Sequence, residues 1–168
     1  MADHEVMMTD MIELGFTIAG YPNTGRRVEE DSDLTQVSAP DLLQGAFMGD
    51  ATIRLDDVDL STSFGWVTLV YWCLGLTHAM RAVKAEGSHN MRFSESDDFL
   101  SFRLHGSDLL VAGSYQPGIA AVRYDVFARR VQDFVEEKLR WIAENYPSAF
   151  NNPAMGEALK RAGIAFRW

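Results

Sequence analysis

The stretch STSFGWVTLVYWCLGLTHAMRAVKA, residues 61–85, decides the fold class. Trp66, Leu69, Cys73, Leu76, Met80 and Val83 recur at spacings of three and four, which is one stripe of a helix. Val67, Val70, Tyr71 and Leu74 widen that stripe in the first half, while Arg81, Lys84 and Glu86 lie opposite it in the second. The pattern predicts a helix from about Gly65 to Ala85 that starts buried on most sides and ends amphipathic. Ser61, Thr62 and Ser63 are its candidate N-caps, and Gly87-Ser88 closes it. Trp66 and Trp72 do not share a face of this helix; core packing is the preferred reading for both, with one of them reaching the surface or lining a groove as the alternative.

Downstream, the hydrophobic period changes from helical to two. Met91 and Phe93 alternate, then Leu100, Phe102 and Leu104, then Leu109, Val111, Gly113 and Tyr115. The polar turns Ser94–Asp98 and His105–Asp108 are short, and short turns join only antiparallel neighbours. Gln116-Pro117-Gly118 breaks the pattern, and Ile119 to Arg123 reads as a fourth short strand. Asp125 then reads as the N-cap of a second long helix that ends near Asn145, before Pro147. Its apolar face is Phe127, Val131, Phe134, Val135, Leu139 and Ile142. Arg129–Asp133 and Glu136–Arg140 are i,i+4 pairs on its wet face. Residues 148–168 form a C-terminal extension, with a short helix from Ala154 to Arg161 and an aromatic tail from Ile164 to Trp168.

Upstream, Met11 to Ala19 alternates as a half-buried strand and Tyr21 to Gly25 supplies turn residues. Residues 26–40 are polar and read as an exposed loop carrying Glu29, Glu30, Asp31 and Asp33. Asp50 to Asp56 is a second strand, with Ala51, Ile53 and Leu55 on one face. Asp56-Asp57 is its turn, and Val58 to Leu60 is a short returning arm. The whole reads as a single α+β domain over residues 1–168. An antiparallel sheet of about five to six strands carries two long helices on one face, with a short C-terminal helix beyond.

The composition narrows the function. Hydrophobic residues make up 47% of the 168, enough for a core without staples. The single cysteine, Cys73, allows no internal disulfide and falls on the apolar helix stripe, where an inert thiol is the expectation. The most apolar run is too short to span a bilayer, and the acidic N-terminus lacks the features of an export signal. A cytoplasmic location follows as the expectation. Asp and Glu total 24 against 15 Lys and Arg, a formal charge of −9. Such a field repels nucleic acid and anionic membrane and favours a basic protein partner.

No phosphate loop, dinucleotide fingerprint, nucleophile elbow or zinc spacing is present in the sequence. No catalytic residue, metal ligand or cofactor is therefore assigned. Three acidic segments stand out: Glu29, Glu30, Asp31 and Asp33; Asp56, Asp57 and Asp59; and Glu95, Asp97 and Asp98. If two of them meet at one edge they form a negative patch. The first two groups are the candidate partner-binding residues. Were there a small-ligand pocket, His89, His105 and Asp108 would be its residues.

Phe64-Gly65-Trp66-Val67, the turn Phe93-Ser94-Glu95-Ser96-Asp97-Asp98 and the helix start Tyr124-Asp125 resemble a group of small acidic bacterial domains of the immunity-protein type. The resemblance covers about residues 45 to 147 and carries over no catalytic residue. It implies a neutraliser of a partner toxin. The other expectations are a structural or regulatory subunit docking through the Trp168 tail, and a small-ligand binder or enzyme with an uncommon site.

Overall fold

The computed structural model describes residues 11–19 and 27–168. His4 and the turn predicted at Tyr21–Gly25 lie outside the described residues. Strand β1, Ile12–Ile18, pairs antiparallel with β2, Met48–Leu55, in a register from Ile12 opposite Leu55 to Ile18 opposite Gly49. Between them lie two short helices, α1 (Val28–Asp31) and α2 (Ala39–Gln44). Over residues 27–40 the expected exposed loop is corrected in part: Glu30, Asp31 and Asp33 are exposed, but the segment carries helices and turns its apolar residues inward. Val28, Glu29 and Leu34 are buried, and the Asn152 amide donates to the Leu34 and Val37 carbonyls at 2.9 and 3.0 Å. Buried carbonyls need donors, and a distant asparagine supplies them. Ser38 caps α2, accepting from the Asp41 amide at 3.2 Å, with a proline in the first turn.

On β2 the period of two places Ala51, Ile53 and Leu55 in the core. The Asp56-Asp57 turn leads into β3 (Val58–Asp59), and β4 (Val67–Thr68) lies further along the same side of β2. Between β3 and β4 the hydroxyls of Ser61 and Thr62 accept from the Ile53 and Ala51 amides at 3.1 and 3.0 Å. These residues are therefore not helix caps. Donors along a buried strand must be paired, and the two hydroxyls meet that demand before any helix begins. Helix α3 starts four residues later than the periodicity suggests, at Leu69, and runs to Glu86. Gly87 closes it in the left-handed region, φ 85°, its N–H donating to the Val83 carbonyl.

The antiparallel meander follows: β5 (Ser88–Arg92), β6 (Phe99–His105), β7 (Asp108–Gly113) and β8 (Gln116–Arg123), each antiparallel to the next. Its last turn is corrected: Gly113 pairs with Gln116, so Ser114-Tyr115 is the connection and Gln116-Pro117-Gly118, expected to break the pattern, opens β8. Helix α4, Tyr124–Asn145, buries all six residues of its predicted apolar face. Each such side chain contributes on the order of 1.5–3 kcal/mol through burial. Asp125 sits inside the first turn rather than at the cap, where its charge complements the helix dipole. Of the two i,i+4 pairs, Glu136–Arg140 closes, at 3.2 Å. A 3-10 turn (Pro147–Asn151) and α5 (Pro153–Arg161) follow. Asn152 caps α5, accepting from the Ala154 amide at 3.0 Å.

The protein is α+β with antiparallel sheets, α3 and α4 packing on the β5–β8 face and α4 reaching β1. Among the described residues eight strands divide into two four-stranded sheets rather than forming one. The sheets meet where the Tyr115 hydroxyl donates to the Leu60 carbonyl at 2.7 Å and Gln116 to the Ser61 carbonyl at 3.4 Å. Trp72, Phe47, Phe102 and Phe127 are the largest fully buried side chains. No helix among the described residues is long and apolar enough to cross a membrane.

Candidate partner-binding site

Two of the three acidic segments converge on Tyr115. The β7–β8 connection carries Ser114 and Tyr115, and the Ser114 hydroxyl donates to Asp98 at 3.0 Å. On the other side the Tyr115 hydroxyl reaches Leu60, the neighbour of Asp59 in the β3 arm. Burial raises the Tyr115 phenol well above its ordinary range, and the negative charges of Asp98 and Asp59 raise it further. One phenol thus feels carboxylates that are 39 positions apart in the chain (98 minus 59).

Asp59 is fixed in place: one oxygen accepts from the Ser61 amide at 2.9 Å, the other from Arg54 at 3.3 Å. The hydrogen bonds from Ser61, ahead of the Arg54 charge, hold its carboxyl below the usual value. Arg54 also bridges to Glu13 on β1, so this acidic edge carries one cation for two carboxylates. Asp57 lines a shallow groove with Val58, Asp59, Gln116, Pro117 and Gly118.

Aromatic rings stand beside these charges. Phe64 stacks on Trp66 at 4.8 Å and meets Tyr115 and Phe93 edge-on at 5.2 and 5.4 Å. Trp72, fully buried, stacks on Phe93 from below at 5.8 Å. Phe64, Trp66 and Tyr115 are half-buried, so the cluster grades from core to surface. Trp66 is not on the helix at all, because α3 begins at Leu69. Large rings with partial exposure, held rigid from beneath, are the side chains that anchor protein interfaces.

The remaining acidic segment goes elsewhere, and one of its members leaves the surface. Glu29 is buried. It accepts from the Phe47 amide at 3.0 Å and from Arg27 at 3.4 Å. Its place among the exposed partner-binding residues is corrected accordingly: the left-handed backbone at Phe47 points an amide inward that needs an acceptor. Glu30 is exposed and accepts from the Tyr146 hydroxyl at 2.5 Å. Asp31 and Asp33 accept from the Arg27 and Thr35 amides at 2.9 and 3.0 Å. Glu30 ties this segment to the end of α4.

The suspected ligand trio does not assemble. His105 and Asp108 are register partners at the β6–β7 turn, on the sheet face opposite the helices. His89 lies opposite Phe102 and so points to the helix side. There its ring stands 5.1 Å from that of His78. Partial burial, then the neighbouring His78, lowers the His89 pKa. Among the described residues no group of three or more His, Cys, Asp or Glu is placed to hold a metal. Cys73 is fully enclosed, and burial pushes its thiol up to about 12.

The sequence did not reveal Tyr115 and Ser114 as the meeting point; Phe64 entered only through the resemblance, and a surface or groove position for Trp66 only as the alternative to core packing. The available signal was the half-polar strand end Ser114-Tyr115-Gln116, which alternation alone does not distinguish from an ordinary turn. Compared with protein-family models, curated proteins and solved structures, the chain matches none of them.

Proposed function

We propose that this chain is a protein-binding module, an immunity- or antitoxin-like protein of the bacterial cytoplasm that neutralises a basic partner protein. The contact surface in this reading is Phe64, Trp66 and Tyr115, rimmed by Asp57, Asp59, Asp97 and Asp98. The observation that carries it is the convergence of two sequence-distant acidic turns on Tyr115, beside a half-buried aromatic stack. Charge at the rim steers a basic partner and speeds encounter, while the rings supply the buried contact. The chain's charge of −9 acts in the same sense.

The test is a pull-down from native extract at low and high salt, with mass spectrometry of what is retained. It compares the wild type with a double reversal, Asp57→Lys with Asp97→Lys, both at exposed turn positions. A Glu30→Lys, Asp31→Lys variant is the control. The expected result is one basic protein, weakened by salt and bound at least about tenfold less tightly by the first variant but not by the control. Phe64→Ala should weaken it by about 2 kcal/mol or more. Retention of the same protein unchanged by both the reversal and Phe64→Ala overturns the reading.

A further inference from the structure

The C-terminal tail walls a second concavity. Between α3, α4 and residues 163–166 lies a groove of about 340 Å³, at the lower end of the roughly 300–1,000 Å³ common for small-molecule sites. Its floor is Met80, Val131, Val135 and Leu139, all buried in the core yet lining the opening. Ile164, half-buried, borders it from the tail.

The charges on this groove are unequal. Glu136 is already in an ion pair with Arg140 at 3.2 Å, and the Arg140 guanidinium also lies over the Phe166 ring at 5.7 Å. Arg81 has no such partner: among the described residues no carboxylate lies within ion-pair distance of it. Its terminal nitrogens lie beside the backbone of Gly163, where an added Cβ would come within 2.7 Å of one of them. Glycine at φ 67° leaves the space in which the guanidinium rests. The result is a trough with an apolar floor, polar side chains of Thr77, Gln132 and Glu136 along its lining, and on its wall one fork donor, Arg81, with no carboxylate in ion-pair reach among the described residues. A plain solvated arginine accounts for the missing ion pair, but not for its seat over a glycine at the mouth of an apolar groove.

We propose that this groove binds a medium-chain alkanoate, the carboxylate on Arg81 and the hydrocarbon along Met80, Val131, Val135 and Leu139. A planar guanidinium matches a carboxylate with two parallel hydrogen bonds, and the floor supplies apolar burial for the chain. An alcohol of the same length keeps the second contribution and loses the first. A cationic amphiphile is repelled. This site is separate from the Tyr115 surface and does not depend on what that surface binds.

The experiment is isothermal titration of the full chain with decanoate, decanol and decylammonium, each below its micellar concentration. Decanoate should bind at least about tenfold more tightly than decanol, with decylammonium weakest. Arg81→Gln, at an exposed helix position, should bring decanoate to the level of decanol. Ala128→Phe, which fills the groove from the α4 side, should weaken both. Equal binding of decanoate and decanol to the wild type, discrimination that survives Arg81→Gln, or no binding of decanoate overturns the proposal. If a variant fails to fold, the three-ligand comparison on the wild type still decides it.

Discussion

The buried carboxylate of Glu29 accepts from the amide of Phe47 at 3.0 Å, joining α1 to the start of β2. Phe47 sits at φ 57°, an unusual conformation for a bulky residue, with its ring fully buried against Trp141 and Tyr146. Strain there, of order 1–3 kcal/mol, persists because ring burial and the Glu29 acceptor together over-determine it. Glu29→Ala leaves a buried amide and a partly buried Arg27 without their partner, and should destabilise by about 2–4 kcal/mol. Glu29→Gln keeps an acceptor for Phe47 and should cost clearly less. Urea unfolding at neutral pH measures both, and equal losses would refute the role given to the amide.

Tyr146 makes a pH prediction whose sign is fixed. Its hydrogen bond to Glu30, then burial, pushes the phenol up from 10.0 to about 12. A group whose folded value lies above its unfolded one favours the fold fully below the unfolded value. That contribution is lost as pH rises through the folded one. Wild-type stability should therefore fall between about pH 10 and 12, beyond the decline seen in Tyr146→Phe. The raised phenols of Tyr115 and Tyr124 remain in both proteins, so the difference isolates Tyr146. The check is the urea midpoint of both proteins across that window, and parallel curves would contradict it.

The elements with a long hydrophobic period were legible. The α4 stripe and the β5–β8 meander follow from residue spacing, because six or more apolar positions agree on one period. The misreadings arise where a long-range partner overrides a local signal. Ser61 and Thr62 look like caps, but β2 claims their hydroxyls. Residues 27–40 look solvated, but Asn152 and Phe47 claim their polar groups from 18 or more positions away. The Tyr115 convergence depends on how two sheets meet, which no period encodes.

Cys73 should be chemically silent in the folded chain. It is buried, with its thiol raised to about 12 by desolvation, so almost no thiolate exists at neutral pH. Iodoacetamide should leave native protein unmodified and label it fully in denaturant, as mass spectrometry would show. Cys73→Ser should cost about 1–3 kcal/mol, since the added hydroxyl sits on the core side of α3. Rapid native labelling would show that α3 opens locally.

Two glycines with close neighbours should respond very differently to alanine. At Gly49 an added Cβ collides with the Thr17 carbonyl oxygen and meets its carbon at 2.8 Å. Both belong to the backbone of β1, paired with β2 through this register, so they cannot yield without separating the strands. Gly49→Ala should cost about 2–3 kcal/mol or more through overpacking. At Gly75 the obstacle is the Met91 methyl, at the tip of a flexible side chain. Methionine can rotate aside, and alanine gains roughly 0.8–1 kcal/mol over glycine inside a helix. Gly75→Ala should then lie within about 1 kcal/mol of wild type. Thermal and urea unfolding of the two variants compare them directly. A Gly49→Ala protein as stable as Gly75→Ala would mean that β1 is not held on β2 in this register.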